Sequence, residues 1–196
     1  TGESLKIQLA ELVESTHITE LNYTPDVWNI LKSSDLDPEN IQNVLLFYGY
    51  DDQDQQVSND RTRDKNLSCH VSNCNGLWVR EHVFPRSLGT PNLGFEYAGA
   101  DAHHLRPIDS QMNSNRSNRK FDNSTGNSKI LSNGHFYPGD EWKGDVARMM
   151  MYMYLRYPDQ CAATNVAVGG LSYSPLGDMP DIFLLWNEED PVSEVE

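Results

Sequence analysis

Trp78-Val-Arg-Glu-His-Val-Phe-Pro85, Asp101-Ala-His-His-Leu-Arg-Pro107 and Met112-Asn-Ser-Asn-Arg-Ser-Asn118 decide how this 196-residue chain reads. Each places metal-type or phosphate-type side chains within, or directly behind, an apolar segment. Residues 77–84 read as a strand stopped by Pro85, which cannot donate to a ladder. Residues 86–100 carry Gly89, Pro91, Gly94 and Gly99 and read as a loop. Residues 101–106 read as a second, short strand. Pro107 then opens a polar helix over 108–120, with Asp109 in its first turn.

Within the first stretch Glu81 and His82 are adjacent. Neighbours on a strand point to opposite faces, so the pair can serve one site only where the strand ends or bends. A carboxylate suits a hard cation such as Mg²⁺, and a neutral imidazole suits proton abstraction near pH 7. The bland reading is a solvated Glu81 and a satisfied core His82. In the second stretch Asp101 and His103 share a face by alternation. Either His103 joins His82 and Glu81 in a zinc cluster, or Asp101 and His103 form a structural hydrogen-bond set around Pro107. In the third, Asn113, Asn115 and Asn118 interleave with Arg116, Arg119 and Lys120. Asn is a poor helix former, so these positions are either a solvated face or amide ligands for Mg²⁺ beside phosphate-binding guanidinium forks.

Outward from this segment, Leu5, Leu9, Leu12 and Val13 recur at helical spacing and predict an amphipathic helix over 4–17. Thr24-Pro25-Asp26 reads as an N-cap, a first-position proline and a first-turn acid, opening a helix with Trp28 and Leu31. Residues 44–48 read as a buried strand ending at Gly49, and 51–76 as a long polar surface loop. Residues 122–140 are turn-rich. Val146, Met149, Met150, Met153 and Tyr154 line one face of a helix over 143–157 that Pro158 stops, and a last helix covers 181–186.

No run approaches the roughly 20 apolar residues of a membrane span. Aromatic residues at 10% and recurring apolar runs exclude collagen-like and wholly disordered chains. The formal charge is −14, which taken whole argues against a polyanionic partner. Cys69 and Cys74 enclose four residues, and a loop-closing disulfide, a zinc site with His70 and two free thiols all remain open. Cys161 has no evident partner. A chain that begins Thr1-Gly2-Glu3 lacks an initiator Met, so a removed export signal is expected.

In this order, strand, loop, strand and helix resemble the ββα-metal (His-Me finger) nucleases, and more closely the secreted or periplasmic endonuclease I family. A fourth block, Lys143-Gly-Asp-Val-Ala-Arg148 with Tyr152-Met153 and Arg156-Tyr157, is similar to that family's following helix. The resemblance implies an α+β fold, one domain over 1–196 with a ββα core at about 77–121, flanking helices and a small antiparallel sheet. It implies that Glu81 and Asn113 hold one divalent ion, Mg²⁺ with Mn²⁺ or Ca²⁺ as stand-ins, and that His82 is the general base. Asp101, His103, Asn118 and Arg148 then support the site, and Arg86, Arg106 or Arg116 stabilises the transition state. The implied activity is hydrolysis of DNA, and also RNA, to 5′-phosphate and 3′-hydroxyl ends with little sequence preference, by a secreted or periplasmic monomer that does not engage a membrane. Relatives run on beyond the equivalent of Ser193 into a segment rich in Asn, Arg and Gly, so either a C-terminal piece has been removed or the chain is a short variant.

Two rivals stand beside this reading. One is a zinc hydrolase using His82, His103 and Glu81. The other is a non-catalytic module whose Tyr- and Met-rich helix 143–157 packs a partner. The charge distribution favours the first reading. Residues 61–129 hold ten basic and six acidic side chains, a net +4, while the remainder holds five basic and 23 acidic, a net −18. A locally positive cleft in a negative body predicts weak, salt-tolerant binding of a polyanion.

Overall fold

Val44-Leu-Leu-Phe-Tyr48 is buried throughout and is the seam of the fold. In the computed structural model, which describes residues 2–193, its alternating side chains enter two different apolar clusters. Val44 and Leu46 pack with Val27, Trp28, Leu31, Trp78 and Leu105. Leu45, Phe47 and Tyr48 join the larger cluster with Val83, Phe84, Phe121 and Phe136. Thr1 and residues 194–196, the ends from which a trimmed start and an absent C-terminal piece are read, lie outside the described residues.

Helix α1 spans Gly2–Thr16 and α2 Asp26–Ser34. Strands β1 (Leu36–Asp37), β2 (Asn40–Leu45) and β3 (Thr62–Asp64) form an antiparallel sheet in that order. A second antiparallel pair, β4 (Trp78–His82) and β5 (Leu105–Asp109), runs from Trp78 opposite Asp109 to His82 opposite Leu105. It leads directly into α3 (Ser110–Arg116). Strands β6 (Lys129–Ile130) and β7 (Phe136–Tyr137) make a short hairpin before α4 (Lys143–Arg156) and α5 (Asp181–Glu189). The chain is thus α+β. Phe47 N–H donates to Pro107 O at 2.8 Å and stitches the seam to β5.

Several boundaries differ from the sequence reading. The strand at the seam ends at Leu45, although the whole run is buried. The stretch 51–76 is not all surface loop. It contains β3, and Arg63 on β3 is buried against Asp109 at 2.7 Å. Residues 102–104 form a 3-10 turn capped by the Asp101 side chain, and the strand follows it rather than preceding Pro107. Pro107 is tolerated there because its carbonyl points to Phe47, so its backbone does not face the β4 ladder. Asp109, not proline, opens the helix: its Oδ1 accepts from Gln111 N and Met112 N. The asparagine-rich run sustains only seven helical residues before Ser117 turns to positive φ.

Pro25, rather than Thr24, sits at the N-cap of α2, and Asp26 reaches back to the Asn22 N–H at 2.8 Å. The larger departure is α1, which has no buried residue: Leu5 and Leu12 are 64% and 56% exposed. It is held by polar contacts instead of an apolar face: Lys6 to Tyr154 of α4 and to Asp178 before α5, and His17, just past its end, to Tyr152 of α4. Helix α4 is as expected. Its methionines fill the space against Ile182, Phe183 and Trp186 of the same chain, which leaves no methionine face for a partner helix. No helix among the described residues is long and apolar enough to cross a membrane.

Candidate active site

The β4–β5 hairpin carries the chemistry on two faces. Trp78, Arg80 and His82 point one way, toward α2 and the segment before it. Val79 and Glu81 point the other way, toward α3. Glu81 and His82 are the last two residues of β4, where Val83 N–H turns to the His104 carbonyl at 3.0 Å.

His82 is held by its own loop. Its Nε2 lies 2.9 Å from the Gly99 carbonyl. A carbonyl only accepts, so Nε2 carries the hydrogen and Nδ1 is the basic nitrogen. Burial, followed by the neighbouring His104, pushes the His82 pKa down to about 3, so the ring is neutral at physiological pH. Tyr23 stacks on His82 with centroids 5.5 Å apart, and the Arg80 guanidinium lies 3.4 Å from the Tyr23 centroid. Arg80 also donates to the Tyr23 carbonyl and to Thr24 Oγ1.

His104 is fully buried, its pKa lowered to about 4 chiefly by that burial. Its Nε2 meets the Ala98 carbonyl at 2.7 Å and its Nδ1 accepts from Phe84 N–H, which pins the end of β4 to the loop that holds His82. Asp101 anchors the same loop. Its Oδ1 caps His103 N–H, and its Oδ2 accepts from Tyr152 of α4 and Tyr157 at the C-cap of that helix, at 3.1 and 2.9 Å. The exposed His103 ring packs on Tyr152 at 3.8 Å.

Glu81 is 2% exposed and faces Arg116, which is fully buried. The two approach to 3.3 Å, Arg116 Nε to Glu81 Oε1. The rest of that guanidinium donates to the Val83 and Ser117 carbonyls, both at 2.9 Å. Glu81 Oε1, Arg116 Nε and the Tyr48 hydroxyl are all buried without a hydrogen-bond partner. Burial raises the Glu81 pKa to about 7 against the pull of Arg116. Asn113 precedes Arg116 by three positions on α3 and so shares its face toward β4. It lines a polar cleft with Val79, Ser110 and residues 73–75. The wall of that cleft is tied by the Cys69–Cys74 disulfide, with Cα atoms 5.5 Å apart.

The three candidate arginines are in different surroundings. Arg116 is interior and spent on Glu81 and two carbonyls. Arg106 reaches Asp35 at 3.4 Å and donates to the Ala102 and Leu105 carbonyls. Arg86 has no carboxylate partner among the described residues. Its Nε donates to the Leu93 carbonyl at 2.9 Å, and its charge bears on His82. Asn118 donates to Ser87 Oγ at 3.1 Å, and Arg148 joins Asp145 to the Asp190 carbonyl near the end of α5.

Among the described residues no three His, Cys, Asp or Glu side chains assemble as a metal cluster. The zinc set of His82, His103 and Glu81 is therefore not brought together. His82 turns to Gly99, His103 to Tyr152 and Glu81 to Arg116. Tyr23, Tyr48 and Arg80 are neighbours to which the sequence reading gave no role. Only the Arg80 position within the first motif offered a signal.

A carbonyl-tethered neutral histidine thus ends β4, beside a carboxylate that meets α3. The chain belongs to the endonuclease I family, whose sequence model matches residues 1–196. It is 38% identical over 205 residues to a Bacillus subtilis (strain 168) protein named extracellular ribonuclease. It is 39% identical over 209 residues to a protein of the same name from Bacillus amyloliquefaciens. Both matches cover 100% of this chain and 65% of the relative, so the chain spans about two thirds of the length of these curated relatives.

Proposed function

We propose that the protein is a secreted, metal-dependent nuclease that hydrolyses phosphodiesters of RNA and DNA with little sequence preference. The family and the names of the two relatives support a nucleic-acid substrate, and those names favour RNA as one of its forms. The observation that carries the mechanism is the 2.9 Å contact between His82 Nε2 and the Gly99 carbonyl. It fixes the tautomer that leaves Nδ1 free to take a proton from water as that water attacks phosphorus.

Glu81 and Asn113 are the proposed cation ligands. They fit a hard divalent ion such as Mg²⁺ because both offer oxygen donors on the facing surfaces of β4 and α3. Glu81 Oε1 is moreover a buried acceptor with no hydrogen bond to lose. The bound ion would polarise a non-bridging phosphate oxygen and stabilise the departing 3′ oxygen. Arg86 is the arginine that meets the added charge of the transition state, since Arg106 and Arg116 are engaged elsewhere. Arg116 orients Glu81. Asp101, with the tyrosines it joins, holds the loop that supplies the Gly99 carbonyl. The products carry 5′-phosphate and 3′-hydroxyl ends.

The test compares plasmid DNA and single-stranded RNA as substrates, with Mg²⁺ and with EDTA, for the wild type and for His82→Ala. Cleavage that needs the cation, and that falls by roughly 10²- to 10⁴-fold in the variant while cation binding persists, is the expected result. Cleavage undiminished by EDTA or by His82→Ala overturns the assignment.

A further inference from the structure

Residues 94–99 form a loop pinched at its base. A Cβ on Gly99 would lie 2.0 Å from the Gly94 carbonyl oxygen, so only glycine lets the two ends meet this closely. Residues 95–97 are pushed outward, while Ala98 stays buried. Phe95 is 53% exposed and Tyr97 63%, and Tyr97 sits at φ 48°, a conformation that side chains with a Cβ seldom adopt. The loop therefore holds two aromatic rings in water by means of a strained and tightly closed backbone.

Phe95 belongs to the neighbourhood of His82. Phe95 lies 4.9 Å from Tyr23, which itself stacks on His82 at 5.5 Å. The Arg86 guanidinium rests 3.9 Å from the Phe95 centroid, and its position is set by the Leu93 carbonyl. Gly99, the other foot of the loop, supplies the carbonyl that orients His82. One short loop thus orients the base, braces a cation and displays an aromatic surface. Single exposed apolar side chains need no explanation, but an aromatic ring braced by a guanidinium beside a phosphodiester site is how proteins hold unpaired bases.

We infer that Phe95 is a stacking platform for an unpaired nucleobase of the substrate strand, next to the phosphate that His82 and Arg86 address. The inference rests on the proposed nuclease function and narrows it to a preference for single-stranded substrate. A base inside a duplex is stacked on its neighbours and cannot use the platform, whereas any unpaired base has a π-face, so the site adds affinity without sequence preference.

The test measures fluorescence anisotropy of a labelled 12-nucleotide single strand, and of the duplex of the same sequence, in EDTA. It uses the wild type, Phe95→Ala and Phe95→Trp. Phe95→Ala is expected to raise Kd for the single strand by roughly 5-fold or more and to leave duplex binding within 2-fold, and Phe95→Trp to restore it. In Mg²⁺ the same loss should appear in KM for single-stranded RNA. Equal weakening of both forms, an unchanged Kd, or a loss confined to kcat overturns the platform. A wild type that binds the single strand as described but cleaves nothing overturns the nuclease assignment instead. Because Phe95 is half exposed, a thermal midpoint matching the wild type is expected to accompany the loss.

Discussion

Arg116→Met tests the buried pair between β4 and α3. The substitution keeps the aliphatic stem but removes a guanidinium that meets Glu81 and two carbonyls in an interior free of solvent. Deleting one partner of a buried pair costs about 3–5 kcal/mol, because the other charge is left uncompensated. For a chain of this length each kcal/mol moves the melting point by about 2–4 °C, so a fall on the order of 10 °C is expected. Part of that cost depends on pH, and its sign is fixed. The Glu81 pKa is already raised to about 7 in the fold, above its unfolded value, so its contribution is most favourable at low pH and is lost as pH rises toward 7. Without Arg116 the folded-state value rises further, and the loss continues at about 1.4 kcal/mol per pH unit until the new value is passed. The penalty of Arg116→Met should therefore be larger at pH 8 than at pH 5 by about 1 kcal/mol or more. Glu81→Gln in the same background should remove that pH-dependent part. Urea denaturation in EDTA at the two pH values measures both. A penalty under 1 kcal/mol, or one equal at pH 5 and pH 8, refutes the argument that Arg116 is there for the carboxylate.

Two further outcomes follow from the loop that holds His82. His82 and His104 both have folded-state pKa values lowered below the unfolded value, to about 3 and about 4, so the unfolded chain binds more protons between there and about 6.5. Stability should be fully present above about 6.5 and decline as pH falls through this window, and a urea midpoint that stays flat from pH 6.5 to 4 would contradict it. Asp101→Ala removes the cap of the 3-10 turn and the acceptor of two tyrosine hydroxyls, a loss of about 2–4 kcal/mol that should lower kcat through a looser Gly99 carbonyl. If that variant retains full kcat, Asp101 does not position the base.

What could be read from the chain, and what could not, divides along contact range. The strand ending at His82 and the methionine-faced helix before Pro158 were legible because their patterns are local and uninterrupted. The stretch 101–120 was displaced because Pro107 suits both a first helical position and a strand residue whose backbone faces away from the ladder. Only the pairing with Arg80 and the bond to Phe47 distinguish them. The apolar spacing of α1 gave a correct helix and an incorrect burial, since periodicity reports a face without its partner. Within the site, Glu81, His82, Asn113 and Arg116 stood out by residue type. Tyr23 and Tyr48 did not, because a tyrosine brought in from a distant part of the chain carries no mark of the ring or carboxylate it will meet.

The seam at 44–48 sets a limit on how this chain can change length. Its residues alternate between the two apolar clusters, so inserting or deleting one residue there would exchange Val44 and Leu46 for Leu45 and Phe47. A ring the size of Phe47 would then be aimed at the space that Leu46 fills among Trp28, Trp78 and Leu105. The exposed stretch at 51–56 can absorb such a change, because no apolar side chain there is assigned to either cluster. Length variation among natural or engineered relatives should therefore collect just beyond Tyr50 and stop abruptly at Tyr48.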